Sequence, residues 1–266
     1  GAAIIGPAVL APLVDLWGLE GVFFLIGGAY ALTVLALLFM QSSRHQKHNR
    51  LISIMGGLLE GFRYLRCNTI ILGIVGLGVV AGIFGNSFEA LLPVYTDKVL
   101  NQGIETYSRL LLSAGIGGLI ATLTVAALGP KVRPSTFLVT AGLGYGLGIL
   151  VLSQISGFTW ATIDMALIGA FHVVFSTMSI TLIQTLTVDE FLGRVMSIQQ
   201  LSWGATAIGG ILMGAVAETW GVSSALSLGG LTLTTATLVL ATFFLRASSL
   251  RIQPGRSGNT ISDDSC

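Results

Sequence analysis

The stretch GAAIIGPAVLAPLVDLWGLEGVF at residues 1–23 is read again, without a gap, as GATAIGGILMGAVAETWGVSSAL at residues 204–226. The copies agree at Gly1/Gly204, Ala2/Ala205, Ile5/Ile208, Gly6/Gly209, Trp17/Trp220 and Gly18/Gly221, and Asp15 falls opposite Glu218. Both are apolar and rich in small residues, the composition of helices that pack closely inside a bilayer. A repeat at this offset implies two related halves. On that reading the residues between Asn68 and Trp203 have counterparts upstream of residue 1, and the chain is expected to be the end of a two-half membrane protein.

Composition agrees. Charged residues make up 9% of the chain, hydrophobic residues 53%, and 35 residues are glycine, whereas ordinary soluble domains carry about 25% charge. The net charge of +1 and the scattered basic residues exclude a nucleic-acid stripe. No metal-ligand spacing surrounds Cys67 or Cys266, so neither a metal nor any other cofactor is expected. The chain opens on an apolar run with no initiator Met and no basic leader, which argues against a signal peptide and for a truncated start.

A hydrocarbon core of about 30 Å needs about 20 apolar residues per helix. Eight segments meet or approach that length: 2–17 (cut short), 21–40, 70–95, 110–128, 136–154, 160–186, 195–216 and 225–245. The expected fold class is an all-α membrane protein with eight transmembrane helices. With the loop after Met40 in the cytoplasm, the inside collects Arg44, Lys47, Arg50, Arg63, Arg66, Lys131, Arg133, Arg194, Arg246, Arg251 and Arg256, and only Lys98 and Arg109 fall outside. Both ends of the chain are then cytoplasmic.

The organisation expected is a pair of helices at 1–41, a linker at 42–69, a six-helix half at 70–246 and a disordered cytosolic tail at 247–266. In the linker, Leu51, Ile54, Met55, Leu58, Leu59, Phe62 and Leu65 fall at helical spacing, with Arg50, Arg63 and Arg66 nearby. This amphipathic helix either lies on the inner membrane face or packs its apolar stripe beneath the bundle.

Two spans, a basic bridge and six further spans, with the first pair echoed by the last, resemble the major facilitator superfamily from its fifth helix to its end. The segments GGLLEGFRYLR at 56–66, LLPVYT at 91–96, AGIGGLI at 114–120 and GRVMSI at 193–198 are similar to the bacterial drug-exporter branch that includes macrolide-efflux and enterobactin-exporter proteins. The resemblance implies helices five to twelve of a twelve-helix fold, with substrate bound near the midplane between the halves. It implies proton-coupled efflux of drugs or other amphipathic small molecules across a bacterial inner or plasma membrane, by alternating access. The partners implied are a small-molecule substrate, a proton gradient, the lipid bilayer and the missing amino-terminal helices, without which the chain is expected to be inactive. The alternatives are an importer or lipid flippase of the same fold, or a nontransporting membrane protein.

Within that resemblance, Gly6 and Pro7 are similar to the fifth-helix antiporter motif, in which small residues and a proline bend the helix and admit a close neighbour. Ala2 and Leu10-Ala11 stand where glycines are usual, and Gly209-Gly210 occupies the repeat position. Gly129, Lys131 and Arg133 resemble the second-half cytoplasmic loop motif without its acidic member, and Asp189, Glu190 and Arg194 are the expected gate partners. The alternative for these cations is a plain positive-inside anchor.

An uncompensated charge at membrane depth costs at least about 2.5 to 3.5 kcal/mol, so ionisable groups there are functional candidates. Glu89, beside Asn86 with Phe84 and Phe88 around it, is the leading candidate for proton coupling; the alternative is a hydrated carboxylate a turn before Pro93. His172 relays protons or meets substrate, or else bonds Ser176 one turn on. Asp164 caps its helix or meets water, Gln184 contacts substrate or a neighbouring helix, and Arg109 pairs with Asp97 or Glu105 or snorkels. No nucleophile with a base and orienting acid, and no phosphate-cradling loop after a strand, is legible, so neither an enzyme nor an ATP-driven pump is expected.

Overall fold

The computed structural model describes residues 21, 23–39, 54–129 and 133–250. It divides into two compact units, Gly1–Ser53 and Ile54–Cys266. In the first, residues Phe23–Phe39 form an apolar helix, α1. The expected span at 2–17, with Gly6 and Pro7, lies outside the described residues, as do Lys131 and the tail beyond 250.

Among its described residues the second unit is built of helices joined by short connections. Its elements are α2 (Ile54–Cys67), α3 (Thr69–Val80), a π-helical turn (Ala81–Gly85), α4 (Phe88–Lys98), α5 (Ile104–Leu128), α6 (Pro134–Leu152), α7 (Phe158–Leu186), α8 (Asp189–Trp220) and α9 (Val222–Leu250). Counting α3 through α4 as a single segment of 30 residues, Thr69–Lys98, six helices are long and apolar enough to cross a membrane. These correspond to the last six spans expected from sequence. Exposed Leu119, Ile120 and Leu123 on α5, and Leu201, Ile208 and Ile211 on α8, form the apolar outside that lipid solvates.

Local chemistry fixes the helix ends. Pro134 begins α6, where its missing N–H and fixed φ cost nothing. Asp189 and Glu190 occupy the first turn of α8, where negative charge meets the positive end of the helix dipole. Gly129 (φ 53°) ends α5 and Gly221 (φ 88°) alone separates α8 from α9, both in backbone conformations that side chains disfavour. Within the spans, many threonine hydroxyls donate back to carbonyls one turn earlier, as Thr122 does to Gly118 (2.8 Å) and Thr237 to Leu233 (2.8 Å), which satisfies them inside their own helix.

Small residues set the helix contacts. Lipid offers apolar surface as good as another helix does, so association in membranes relies on close packing. α5 and α7 cross where a Cβ on Gly117 would collide with the Ala166 carbonyl and one on Gly169 with that of Ala114. α6 meets α9 at Gly146 and Gly230 in the same fashion, and α8 meets the π turn at Gly209, against the Ile83 carbonyl and Ser87 hydroxyl. Gly210 has only Ala90 Cβ in ordinary contact, at 3.7 Å.

The linker helix packs one of its faces against the bundle. Leu65 is fully buried and Gly61 packs on Arg194 and Ile198 of α8, so one face sits under the bundle. Leu59 and Phe62 remain exposed on another.

Candidate functional site

The α3–α4 span is broken near its middle. Asn86 N–H donates to the Ala81 carbonyl (2.7 Å), five residues back, and the next bonds are three-residue ones, from Glu89 to Asn86 (3.2 Å) and Ala90 to Ser87 (3.2 Å). A widened turn followed by a tightened one leaves the backbone irregular between Ala81 and Ala90. Pro93 extends the break, since it has no N–H for the carbonyl of Glu89. Irregular backbone at membrane depth survives where protein surrounds it or a cavity borders it, and π turns recur at functional sites. The glycines Gly82, Gly85 and Gly209 admit neighbouring helices against the break, and Ser87, fully buried, donates to the Ile83 carbonyl.

Into this break projects Tyr145 of α6. Its hydroxyl donates to Asn86 Oδ1 (3.0 Å), and its ring, wholly buried, lies 5.0 Å from the His172 ring of α7. Phe88 stands edge-on to it at 6.3 Å and Phe175 is tilted at 6.3 Å. Three separate spans thus bring Asn86, Tyr145 and His172 together, the first two joined by a hydrogen bond and the last two by ring contact, among the rings of Phe88 and Phe175. Glu89, one turn beyond Asn86, is exposed beside it, and Phe84 is half-buried with its carbonyl against Gly229 of α9. His172 is half-buried, and its partner is the Tyr145 ring rather than Ser176.

Sequence reasoning grouped Glu89, Asn86, His172, Phe84 and Gln184. The structure brings the first three together around Tyr145 and sets Gln184 apart, exposed near the end of α7, about 18 Å along the helix from His172. Tyr145 was missed. The available signal was a lone polar aromatic within the glycine-rich run AGLGYGLG at 141–148. Asp164 also differs from expectation. Rather than capping α7 it is 93% buried facing Gly148 of α6, and its Oδ2 has no hydrogen-bond partner among the described residues.

At the α2 end of the bundle a second polar cluster forms. Arg194 pairs with Glu60 of α2 (2.8 Å), and its guanidinium lies 5.1 Å from the Phe191 ring. Phe191 stacks on Tyr64 at 4.6 Å and 7°, and the Tyr64 hydroxyl accepts from Val188 N–H (3.5 Å). Of the expected gate residues, Asp189 and Glu190 are exposed, Arg133 is exposed at the start of α6, and Gly129 is the α5 cap. Among the described residues none of these joins an ion pair with Arg133; Arg194 turns instead to Glu60. Arg109 pairs with Glu105 (3.4 Å), both in water-exposed positions.

Six apolar helices, tightly crossed and one of them interrupted and polar-lined, define an all-α, multi-pass membrane protein. The chain belongs to the transmembrane secretion effector family of major facilitator transporters, whose model matches residues 2–256. It is similar to the enterobactin exporter of Escherichia coli, 27% identical over 158 residues, 59% of this chain and 36% of the relative. It is also similar to the staphyloferrin A transporter of Staphylococcus aureus, 26% identical over 174 residues, 65% of this chain and 43% of the relative. The chain therefore spans less than half the length of the curated relatives it matches.

Proposed function

We propose that the chain supplies the carboxyl-terminal portion, helices five to twelve, of a proton-coupled exporter in a bacterial inner or plasma membrane. The exporter moves amphipathic organic molecules outward by alternating access, with α2 on the cytoplasmic side. The observation that carries this reading is the interrupted α3–α4 span with Asn86, Tyr145 and His172 joined across three helices and Glu89 alongside. Broken helices at membrane depth offer free backbone groups to a substrate. A carboxylate beside them, with no cation paired to it among the described residues, is a site at which a proton is taken and released as the helices rock. Glu89 is the proton-coupling residue, and Asn86, Phe84 and His172 contact substrate. Gln184 contributes at the far end of α7. Arg133, Lys131, Asp189, Glu190, Arg194 and Gly129 form the cytoplasmic gate, and Gly6, Pro7, Gly209 and Gly210 are packing positions that let the halves of the repeat approach their neighbours.

Relatives named for enterobactin and staphyloferrin A make those molecules the first substrates to test, ahead of macrolides and cationic dyes. The test is uptake by everted membrane vesicles containing the full-length protein, with and without an imposed proton gradient. Accumulation that collapses with a protonophore supports exchange for protons. Accumulation unaffected by the gradient, or transport in the opposite sense, would discard this reading.

A further inference from the structure

One stripe of α2 carries Leu59, Phe62, Arg63 and Arg66, at the spacing that stacks residues on a single helix face. All four are exposed, Leu59 by 73% and Phe62 by 49%. The opposite side is taken up by the bundle: Leu65 and Gly61 are buried, Tyr64 stacks on Phe191, and Glu60 holds Arg194. Among the described residues the salt bridges are Glu105–Arg109 and Glu60–Arg194, so the acid of α2 is occupied and Arg63 and Arg66 form no ion pair. Only Asn68 separates α2 from Thr69, the first residue of a membrane span, and the next exposed large apolar side chain, Leu72, lies on that span.

We infer that this stripe is a binding surface for anionic phospholipid in the leaflet at the α2 end. The position of the helix beside the start of a span puts it at headgroup level. Two large apolar side chains there have the apolar edge of the leaflet as their neighbour, and a helix so placed lies in the plane of the interface. Arg63 and Arg66 flank them, and guanidinium groups pair bidentately with phosphate. A soluble protein partner would have to fit in the same headgroup layer, whereas lipid is continuous with the apolar outside of the bundle. Each arginine near an anionic surface favours it by roughly 5-fold, so the pair selects anionic over zwitterionic headgroups by about 30-fold.

The substitution Phe62→p-benzoylphenylalanine places a photocrosslinker on the stripe. The full-length protein is reconstituted in bilayers of equal phosphatidylglycerol and phosphatidylcholine, irradiated, and its lipid adducts weighed by mass spectrometry. The expected result is an excess of phosphatidylglycerol adducts that disappears in R63Q/R66Q and persists in R63K/R66K. Equal adducts of both lipids, crosslinks to protein alone, no adduct, or an excess that survives R63Q/R66Q would each overturn the inference. The double substitution leaves the buried face untouched, and the Lys pair reports whether charge, rather than folding, is what was lost.

Discussion

The Tyr145 hydroxyl donates to Asn86 Oδ1 at 3.0 Å, which ties the middle of α6 to the point where the α3–α4 span is broken. The bond lies among buried rings, where Asn86 has few other donors to turn to. Interhelical hydrogen bonds of this kind average about 0.6 kcal/mol in membranes and reach about 1.7.

Tyr145→Phe removes the donor and keeps the ring against His172. The expected loss of stability is about 1 kcal/mol, read from unfolding of the purified protein in mixed micelles. Substrate affinity is expected to fall further than this loss accounts for, because Asn86 becomes free to rotate. A variant with unchanged affinity and unchanged stability would show that the bond does not organise the break.

Glu89→Gln tests coupling apart from folding. Glu89 is exposed, so the change should leave stability within about 0.5 kcal/mol. Accumulation driven by a proton gradient should disappear, while exchange of substrate down its own gradient continues. Retained gradient-driven accumulation would place coupling elsewhere, with buried Asp164 the next position to substitute.

Two glycine substitutions should part company. Gly117→Leu drives a side chain into the Ala166 backbone at the α5–α7 crossing and is expected to abolish the folded state, seen as loss of the monodisperse peak in detergent. Gly204→Ala in α8 meets open space and should be neutral or stabilise by about 0.5 to 1 kcal/mol through helix propensity. Equal effects would mean that the crossing is looser than its geometry.

The Glu60–Arg194 pair is partly exposed, so its coupling should be small and sensitive to salt. A double-mutant cycle with E60Q and R194Q is expected to give about 0.5 to 1 kcal/mol at low ionic strength and less at 1 M salt. R194Q alone should also weaken the contact of α2 with α8, observed as faster proteolysis within α2.

Much of this architecture was legible because it depends on long-range averages. Apolar runs of span length separated by polar turns marked out all six membrane-long helices between Thr69 and Phe244, and the glycines of the repeat marked a packing face at Gly209. The site was legible only in part. Asn86, Glu89 and His172 stood out as polar residues at membrane depth, but a π turn depends on one displaced backbone bond, and AGIFG at 81–85 reads like any small-residue helix. Tyr145 and Glu60 act through partners 59 and 134 residues away in sequence, and no local pattern encodes such distances. For the same reason the sequence, which offered Asp189, Glu190 and Arg194 as partners of the loop cations because they lie in the next cytoplasmic turn, held no hint that Arg194 pairs with Glu60 of another helix.

The junction at Asn68 has a mechanical consequence. Its backbone N–H and its side-chain amide both bond the Tyr64 carbonyl, at 3.2 Å each, and its own carbonyl accepts from Leu72 N–H at 2.9 Å. α2 and α3 are thereby joined as a bent lever with a stiff elbow. With 14 residues, α2 is about 21 Å long, so a tilt of about 10° in the span sweeps the far end of α2 by roughly 4 Å. A small rocking inside the membrane would thus be geared up into a displacement at its surface, large enough for a spectroscopic ruler to follow without any substrate that carries a label.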